Sequence, residues 1–526
     1  MSFCLNFKKD IIDEMIKILK DILFIRKSKF KYFLFSIISG ILIALSFQKF
    51  NFFYLVWIGL IPLIYCILNS NVYYTVIYSF IAGLICNIIS AYWMFPFLLN
   101  NTNSLTDSSI VSLLSWLYLT LYFVFWSVLI NLSKKYASNI TLALLASSLW
   151  VLFEFIKTYI LTGLPWNLLG YTQASFSAII QISDITGIYG VSFLIVLINM
   201  LLYFRLKEKK KKYLIWVILI ITSLLIYGFF RMAKFSTQYG EKITVGIVQP
   251  NIEQYKKWDR NHKDNIIKIL YSNAQFFNEK HIDIILYPET VLPRMLEENE
   301  EIQQLVRDIS ANAQLNLIGG MSRVNDKIYN TIFLVSKNGE ITGKYKKNHP
   351  VIFGEYIPFK FILSKLLTSL NVTGNISTDN SIQTFQFNDI IIGINICSEN
   401  LFPYFSRRLV LQGANILTNH TNDAWFSDMA TPYQHFVMNI FRAVENRKNV
   451  IVSANTGISA VIDSSGRVIR KTKVGENISF VSNAYKNDYV TVYDKIGDIF
   501  VFICCFYILG FLFSIILKIY NKKNSQ

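Results

Sequence analysis

Ile391-Ile392-Gly393-Ile394-Asn395-Ile396-Cys397-Ser398-Glu399 is an apolar run that ends abruptly in a thiol and a carboxylate. The β-branched isoleucines suit a buried strand. The residues that follow, Glu399-Asn400-Leu401-Phe402-Pro403 and then SRRLVLQG, suit a sharp turn into a helix. Such a turn exposes one side chain at the sheet edge and aims backbone N–H groups at it, which makes Cys397 a candidate nucleophile. The competing reading is a small buried hydrophobe, the usual fate of a free cysteine.

Two other stretches bear on that choice. Glu289 closes Ile282-Asp283-Ile284-Ile285-Leu286-Tyr287-Pro288-Glu289, a second apolar run that stops at a proline and presents a carboxylate. Lys347 lies in Tyr345-Lys346-Lys347-Asn348-His349, shortly before Phe353-Gly354-Glu355-Tyr356. A Glu, a Lys and a Cys, each at the end of an apolar or turn-bounded run, form a coherent catalytic set. In this order and context they resemble the nitrilase superfamily. The words YPET, YKKNHPVIFGEYIP, ICSE, TNDAWF, PYQHF, RAVENR and NTGISAVI resemble, more narrowly, the apolipoprotein N-acyltransferase family, and with the membrane pattern below the resemblance spans nearly the whole chain.

Hydrophobic residues make up 53% of the 526 residues and charged ones only 16%, a balance that points to membrane segments. The net charge of +17 does not imply nucleic acid, because the basic clusters flank apolar stretches instead of interleaving with aromatics on a soluble face. Of the six cysteines, Cys4, Cys66, Cys86, Cys504 and Cys505 fall in the N-terminal tail or in apolar segments, which leaves Cys397 alone in the rest of the chain. No CxxC or HExxH spacing supports a metal site, and no cofactor is expected.

A lysine-rich tail, within which 11–24 reads as an interfacial or a solvated helix, precedes eight apolar segments. These lie near 32–48, 53–69, 75–97, 111–132, 139–160, 186–204, 213–231 and 497–519, each long enough for a hydrocarbon core of ~30 Å. Lys134-Lys135, the run Arg205 to Lys212, and Lys518, Lys522 and Lys523 fall on the same side as the tail. The positive-inside rule makes that side cytoplasmic, so both termini are expected there and residues 232–496 on the outer face. The chain thus divides into 1–231, a tail with seven membrane helices, then 232–496, a catalytic domain, and 497–526, the eighth helix and its tail. Glu154 is costly in lipid and should face the bundle interior or a polar cavity, in a structural role or a substrate role. The loop Gly163–Tyr171 and the stretch Gln181-Ile182-Ser183-Asp184 match the family pattern, and by sequence alone read as an aromatic interfacial loop and a helix cap.

Within 242–496, β-rich runs such as ITVGIVQ, LNLIGGMS and NVIVSAN alternate with helical stretches at 259–280, 296–313 and 433–447, the signature of a layered α/β domain. The resemblance implies the finer form, an αββα sandwich fused to a multi-pass helical bundle. It also implies the chemistry: Glu289 as general base, with a pKa expected to be raised by a dry site, Lys347 as oxyanion stabiliser and Cys397 as nucleophile. Acyl transfer then runs through a Cys397 thioester, from a membrane glycerophospholipid to the α-amino group of a diacylglyceryl cysteine on an apolipoprotein. The family's inner-membrane setting, with the catalytic domain on the periplasmic side, comes with it.

Glu355 and Glu399 match family positions and are expected to orient Lys347 and the elbow. Trp258 and Trp425 also match, as site-lining aromatics or as ordinary packing. The segment 356–367 mixes Phe359, Phe361 and Leu363 with Lys360 and Lys365, and reads as a lid at the bilayer surface, hinged near Gly374, or as core packing. Three departures from the family wording are Ser398, where tyrosine is usual, Pro350-Val351-Ile352, and Tyr287. A membrane-anchored amidohydrolase would share the triad and pass the acyl group to water. A transporter is disfavoured, because the segments lack paired broken helices and buried charge clusters.

Overall fold

The computed structural model describes residues 29–235, 238–257, 259–351, 355, 376–426 and 429–524. Among these, six helices are long and apolar enough to cross a membrane: Val72–Ser90, Leu105–Ser133, Asn139–Tyr159, Ile188–Glu208, Lys211–Lys234 and Ile499–Asn524. Lys29–Leu45 forms a 17-residue helix, and Phe53–Asn69 is a shorter apolar stretch that begins as a 3-10 turn. The third expected segment, 75–97, is not one helix. It ends at Ser90, turns through 91–93, and a separate helix runs from Met94 to Thr102. Apolar composition continues across that turn, so hydropathy alone runs the two together.

The α/β part carries thirteen described strands: β1 (Glu241–Gln249), β2 (Ile284–Leu286), β3 (Leu315–Val324), β4 (Lys327–Ser336), β5 (Ile341–Lys346), β6 (Ile376–Ser377), β7 (Thr384–Phe387), β8 (Ile390–Ile396), β9 (Ile416–Thr421), β10 (Val450–Ala454), β11 (Ala460–Ile462), β12 (Val468–Lys471) and β13 (Ile478–Lys486). One sheet has the order β13-β1-β2-β3-β4-β5, with β6 paired to β4, and the other has the order β12-β11-β10-β9-β8-β7. Val245, Ile247, Leu286 and Leu317 of the first face Ile392, Ile394, Ile396 and Ile451 of the second in one apolar layer, as expected where strands are buried on both faces. Helices Lys263–Gln275 and Glu300–Ser310 cover the outside of the first sheet through Ile266, Leu270 and Leu305. Pro403–Leu411 and Thr431–Asn446 cover the second. The layers are therefore those of an αββα sandwich, with helices shorter than expected at 263–275 and 300–310.

The direction of the strands locates the site. β1, β2 and β3 run parallel in one sheet, as do β8, β9 and β10 in the other. Their carboxyl ends deliver Glu289, Cys397 and Asn422 to one edge, the place where open α/β sheets bind ligands. Two antiparallel steps from β3 through β4 to β5 bring Lys347 to the same edge.

Thr431–Asn446 is buried at every position except Tyr433, because it is packed between the sandwich and the bundle. Gln434 Oε1 accepts from the indole N–H groups of Trp93 at 3.1 Å and Trp166 at 2.7 Å, and its Nε2 donates to the carbonyls of Ser90 at 2.8 Å and Gln48 at 3.4 Å. Further along, Glu445 accepts the Ile188 N–H at 3.0 Å, and Arg447 pairs with Asp184 at 2.7 Å. Glu154 lies inside the bundle as expected. Its Oε1 accepts from Trp150 at 2.9 Å and from the Leu169 N–H at 2.6 Å, which pins the 163–171 loop beneath the sandwich.

Candidate active site

Cys397 follows β8 directly and is held at φ 51°, a left-handed conformation costing about 1–3 kcal/mol for a non-glycine residue. Glu399 supports the bend. Its carboxylate accepts from the Ile396 N–H at 2.8 Å, the Asn348 N–H at 2.5 Å and the Tyr345 hydroxyl at 3.0 Å, tying the elbow to the end of β5. Burial pushes the Glu399 carboxyl up to about 7. Ser398 donates to the His349 carbonyl at 2.7 Å, a second tie between the same two segments.

Glu289 sits in a similar bend, with Thr290 at φ 46°. Gly319 of β3 permits it: a Cβ there would lie 2.1 Å from the Pro288 carbonyl oxygen. Glu289 Oε1 accepts from Lys347 Nζ at 2.9 Å and from Asn330 at 2.6 Å, and Oε2 accepts from the Asn422 N–H at 2.9 Å. Lys347 bonds Glu355 at 3.0 Å as well, and Asn330 reaches Glu355 at 3.3 Å. The structure thus brings Glu289, Lys347, Glu355, Glu399 and Cys397 together.

Burial disfavours every charge here, yet the pairing decides the protonation states. Lys347 loses by desolvation but is held well above the ordinary lysine range by Glu289 and Glu355. Glu289 is lowered: burial opposes its charge, and Lys347 and Asn330 outweigh burial. This corrects the expectation of a raised Glu289, because a carboxylate bonded to a buried ammonium keeps its charge even in a dry site. Burial first, and then the Glu289 charge, push the Cys397 thiol well above its usual value, with Lys347 opposing. The resting site is therefore a neutral thiol beside an ionised Glu–Lys pair. Proton transfer from sulfur to Glu289 is uphill until the attacking sulfur begins to lose its charge to a carbonyl.

Cys397, Glu289 and Lys347 open on a cavity of about 1140 Å³. One wall is polar and comes from the sandwich, with Asn330, Asn422 and Asp423 among its residues. The other comes from the bundle and is largely apolar, through Trp93, Met94, Phe97, Leu98, Leu164 and Trp166, with Phe402 and Phe426 joining from the sandwich and Asn100, Asn101, Asn103 and Ser115 as its polar members. Trp425 lies on this cavity, half-buried. Trp258, Phe359 and Phe361, with the rest of the 356–375 segment, lie outside the described residues.

Several residues at the site carried no sequence expectation. Asn330 bridges the two carboxylates. Lys257 is fully buried, donating to Thr290 Oγ1 at 2.6 Å and the Glu289 carbonyl at 3.2 Å, and burial brings it down to about 7. Thr421 and His435 contact Cys397, and Asp423 bonds both of them. The words TNDAWF and PYQHF contain all but Asn330 and Lys257 of these, yet nothing in them names a partner.

The carbon-nitrogen hydrolase family matches residues 244–482, and the apolipoprotein N-acyltransferase N-terminal domain matches residues 39–201. The apolipoprotein N-acyltransferase of Geobacter metallireducens is 31% identical over 491 residues, covering 90% of this chain and 93% of that protein. The chain belongs to the apolipoprotein N-acyltransferase family. The Rickettsia prowazekii apolipoprotein N-acyltransferase is 34% identical over 336 residues, 62% of this chain and 67% of that one. Apolipoprotein N-acyltransferase 1 of Treponema denticola is 25% identical over 558 residues, covering 95% and 99%. Within an apolipoprotein N-acyltransferase the cavity's mixed walls have a clear use, since one wall carries the reacting groups and the other is built from the short helix and loop that connect the bundle's long helices.

Proposed function

We propose that this protein moves a fatty acyl chain from a membrane glycerophospholipid to the α-amino group of an N-terminal diacylglyceryl cysteine on an apolipoprotein. One observation carries the reading: a Cys–Lys–Glu site opens directly onto an apolar cavity wall supplied by the short helix Met94–Thr102, the turn before it and the 163–171 loop, which join the bundle's membrane-length helices. A soluble amide substrate needs no such wall, so hydrolysis by a membrane-anchored amidohydrolase is the less favoured reading.

In the first half-reaction the Cys397 proton passes to Glu289 as sulfur attacks the donor ester carbon. A C–S bond forms, and the carbonyl electron pair moves to oxygen, where the Lys347 ammonium stabilises it. Collapse breaks the ester C–O bond, and Glu289 returns the proton to the departing lysophospholipid oxygen. The thioester is then attacked by the acceptor amine, whose proton goes to Glu289. The C–N bond forms, the C–S bond breaks, and the thiol is restored. Glu355 keeps Lys347 oriented, Glu399 sets the elbow, and Trp425 lines the acyl path; for Trp258, Phe359 and Phe361 the substrate-binding role rests on the sequence alone.

The setting is the inner membrane, with eight spans, both termini cytoplasmic and 232–496 on the periplasmic side. The basic residues between segments support this orientation. On this reading 1–231 and 497–526 anchor the catalytic domain. The test is mass spectrometry of protein incubated with phospholipid alone and then with a diacylated lipopeptide. Expected is an acyl adduct on Cys397 that disappears as the N-acylated lipopeptide forms; free fatty acid without N-acylation would make the protein a hydrolase.

A further inference from the structure

Beside the Glu289–Lys347 pair lie three further buried residues that take no part in the mechanism above: Thr421 and His435 contact Cys397, and Asp423 bonds both of them. Thr421 ends β9, Asp423 opens the short turn that follows, and His435 sits one turn into the helix Thr431–Asn446. His435 Nε2 lies 3.1 Å from the Cys397 carbonyl oxygen, and Nδ1 lies 3.1 Å from Asp423 Oδ1. A carbonyl and a carboxylate both accept, so both ring nitrogens carry hydrogen and the ring is an imidazolium. The groups that face it agree: the Asp423 carboxylate, the Cys397 carbonyl and the Glu289 charge all favour the cation, against burial. The Thr421 hydroxyl lies 3.5 Å from Nδ1, and the Trp166 ring stacks on the imidazole at 6.1 Å.

Thr421 has one hydroxyl hydrogen and two acceptors, Cys397 Sγ at 3.4 Å and Asp423 Oδ1 at 3.2 Å. We infer that Thr421 is a further catalytic residue, donating to the Cys397 sulfur as it becomes a thiolate, and that the Asp423–His435 ion pair is the positioning device that allows it. While sulfur is a neutral thiol, the carboxylate is the stronger acceptor and holds the hydroxyl. When charge develops on sulfur the hydroxyl turns to it, and Asp423 can release it because the imidazolium still neutralises the carboxylate. The same imidazolium holds the carbonyl of a residue in left-handed backbone, which keeps the sulfur in place through both half-reactions. The device offsets part of the burial that disfavours the thiolate.

This rests on Cys397 being the nucleophile, so the test reads the network apart from acyl transfer. The full-length protein, with ring-15N-histidine, contains only five histidines. At about pH 8, where an ordinary histidine with pKa ~6.5 is neutral, one should carry hydrogen on both ring nitrogens. His435→Gln should remove that signal. In parallel, alkylation of Cys397 by iodoacetamide is followed by peptide mass spectrometry: sulfur bonds to the methylene carbon and iodide leaves. Thr421→Val should slow it about tenfold, the scale of one hydrogen bond to a charged group, and Thr421→Ser should restore it. Absence of a doubly protonated histidine in the parent would overturn the ion pair, a reading that holds even if Thr421→Val fails to fold. An alkylation rate in Thr421→Val equal to the parent's would overturn the thiolate role. Neither outcome touches acyl transfer, whereas a parent with no acyl adduct on Cys397 would overturn the nucleophile with the histidine signal intact.

Discussion

On the sandwich side of the cavity each reactive group stands at a strand end and is held by several directed bonds. Glu289 accepts three, Glu399 accepts three, and Cys397 is fixed by a backbone bend. On the bundle side, Trp93, Met94, Phe97 and Leu98 come from a turn and a nine-residue helix. What they offer is apolar area; of these four only the Trp93 indole hydrogen-bonds the sandwich, at Gln434, where Trp166 of the same wall also donates. The difference follows from what each wall must do. Bond making requires positions fixed to within a fraction of an ångström, whereas an alkyl chain is recognised by non-directional burial and tolerates repacking. Substitutions on the first wall should therefore change the chemical step, and those on the second should change which donor is accepted.

The largest effect expected on the chemical wall is from Cys397→Ser, which should abolish the acyl adduct and all transfer; retained turnover in purified protein would remove Cys397 from the mechanism. Lys347→Met should leave the protein folded and cut acylation by more than about 100-fold in a single-turnover assay, the scale of a lost oxyanion donor. An unaltered rate would show that the ammonium serves only to pair two carboxylates. On the apolar wall, Phe97→Ser with Leu98→Ser should slow acylation from a long-chain bilayer phospholipid by about tenfold while sparing a short-chain soluble ester, the loss expected from less apolar burial. Equal impairment of both donors would mean that the two walls are not separable. The smallest effect is on pH dependence. Glu289 must be ionised to take the proton, so activity falls as pH drops through its lowered pKa. Asn330→Leu removes one of the bonds that lowers it, so the acid limb of kcat should move upward, toward the ordinary carboxylate value of ~4.3. An unmoved limb would assign that limb to another group.

The sandwich was legible because its strands are unbroken apolar runs with turn residues between them, and Glu289, Lys347 and Cys397 were legible because each interrupts or ends such a run. The bend at 91–93 was not, since apolar residues continue across it and only packing decides where the helix stops. Charge is the harder case. Lys256 and Lys257 are adjacent and chemically identical in sequence, yet the first pairs with Glu253 in the open and the second is sealed under Glu289. Asn330, Thr421 and His435 act through partners that lie far away along the chain or on another element, so no local pattern marks them. The protonation of Glu289 was misread for the same reason: burial can be anticipated from an apolar neighbourhood, but the ammonium that overrides it arrives from 58 residues away.

Gln434 spends all the hydrogen-bonding capacity of its amide on the bundle: two indoles donate to its oxygen and two main-chain carbonyls accept from its nitrogen. His435, the next residue, reaches back to the nucleophile. One peptide unit therefore separates the anchor of the membrane part from the support of the reacting thiol. The catalytic domain is consequently not a portable module. Expressed by itself it would present a bare apolar helix face and an amide stripped of its four partners, and the elbow would lose its alignment. Attempts to obtain a soluble form should keep the bundle and re-engineer its lipid-facing surface, leaving the face under Thr431–Asn446 untouched.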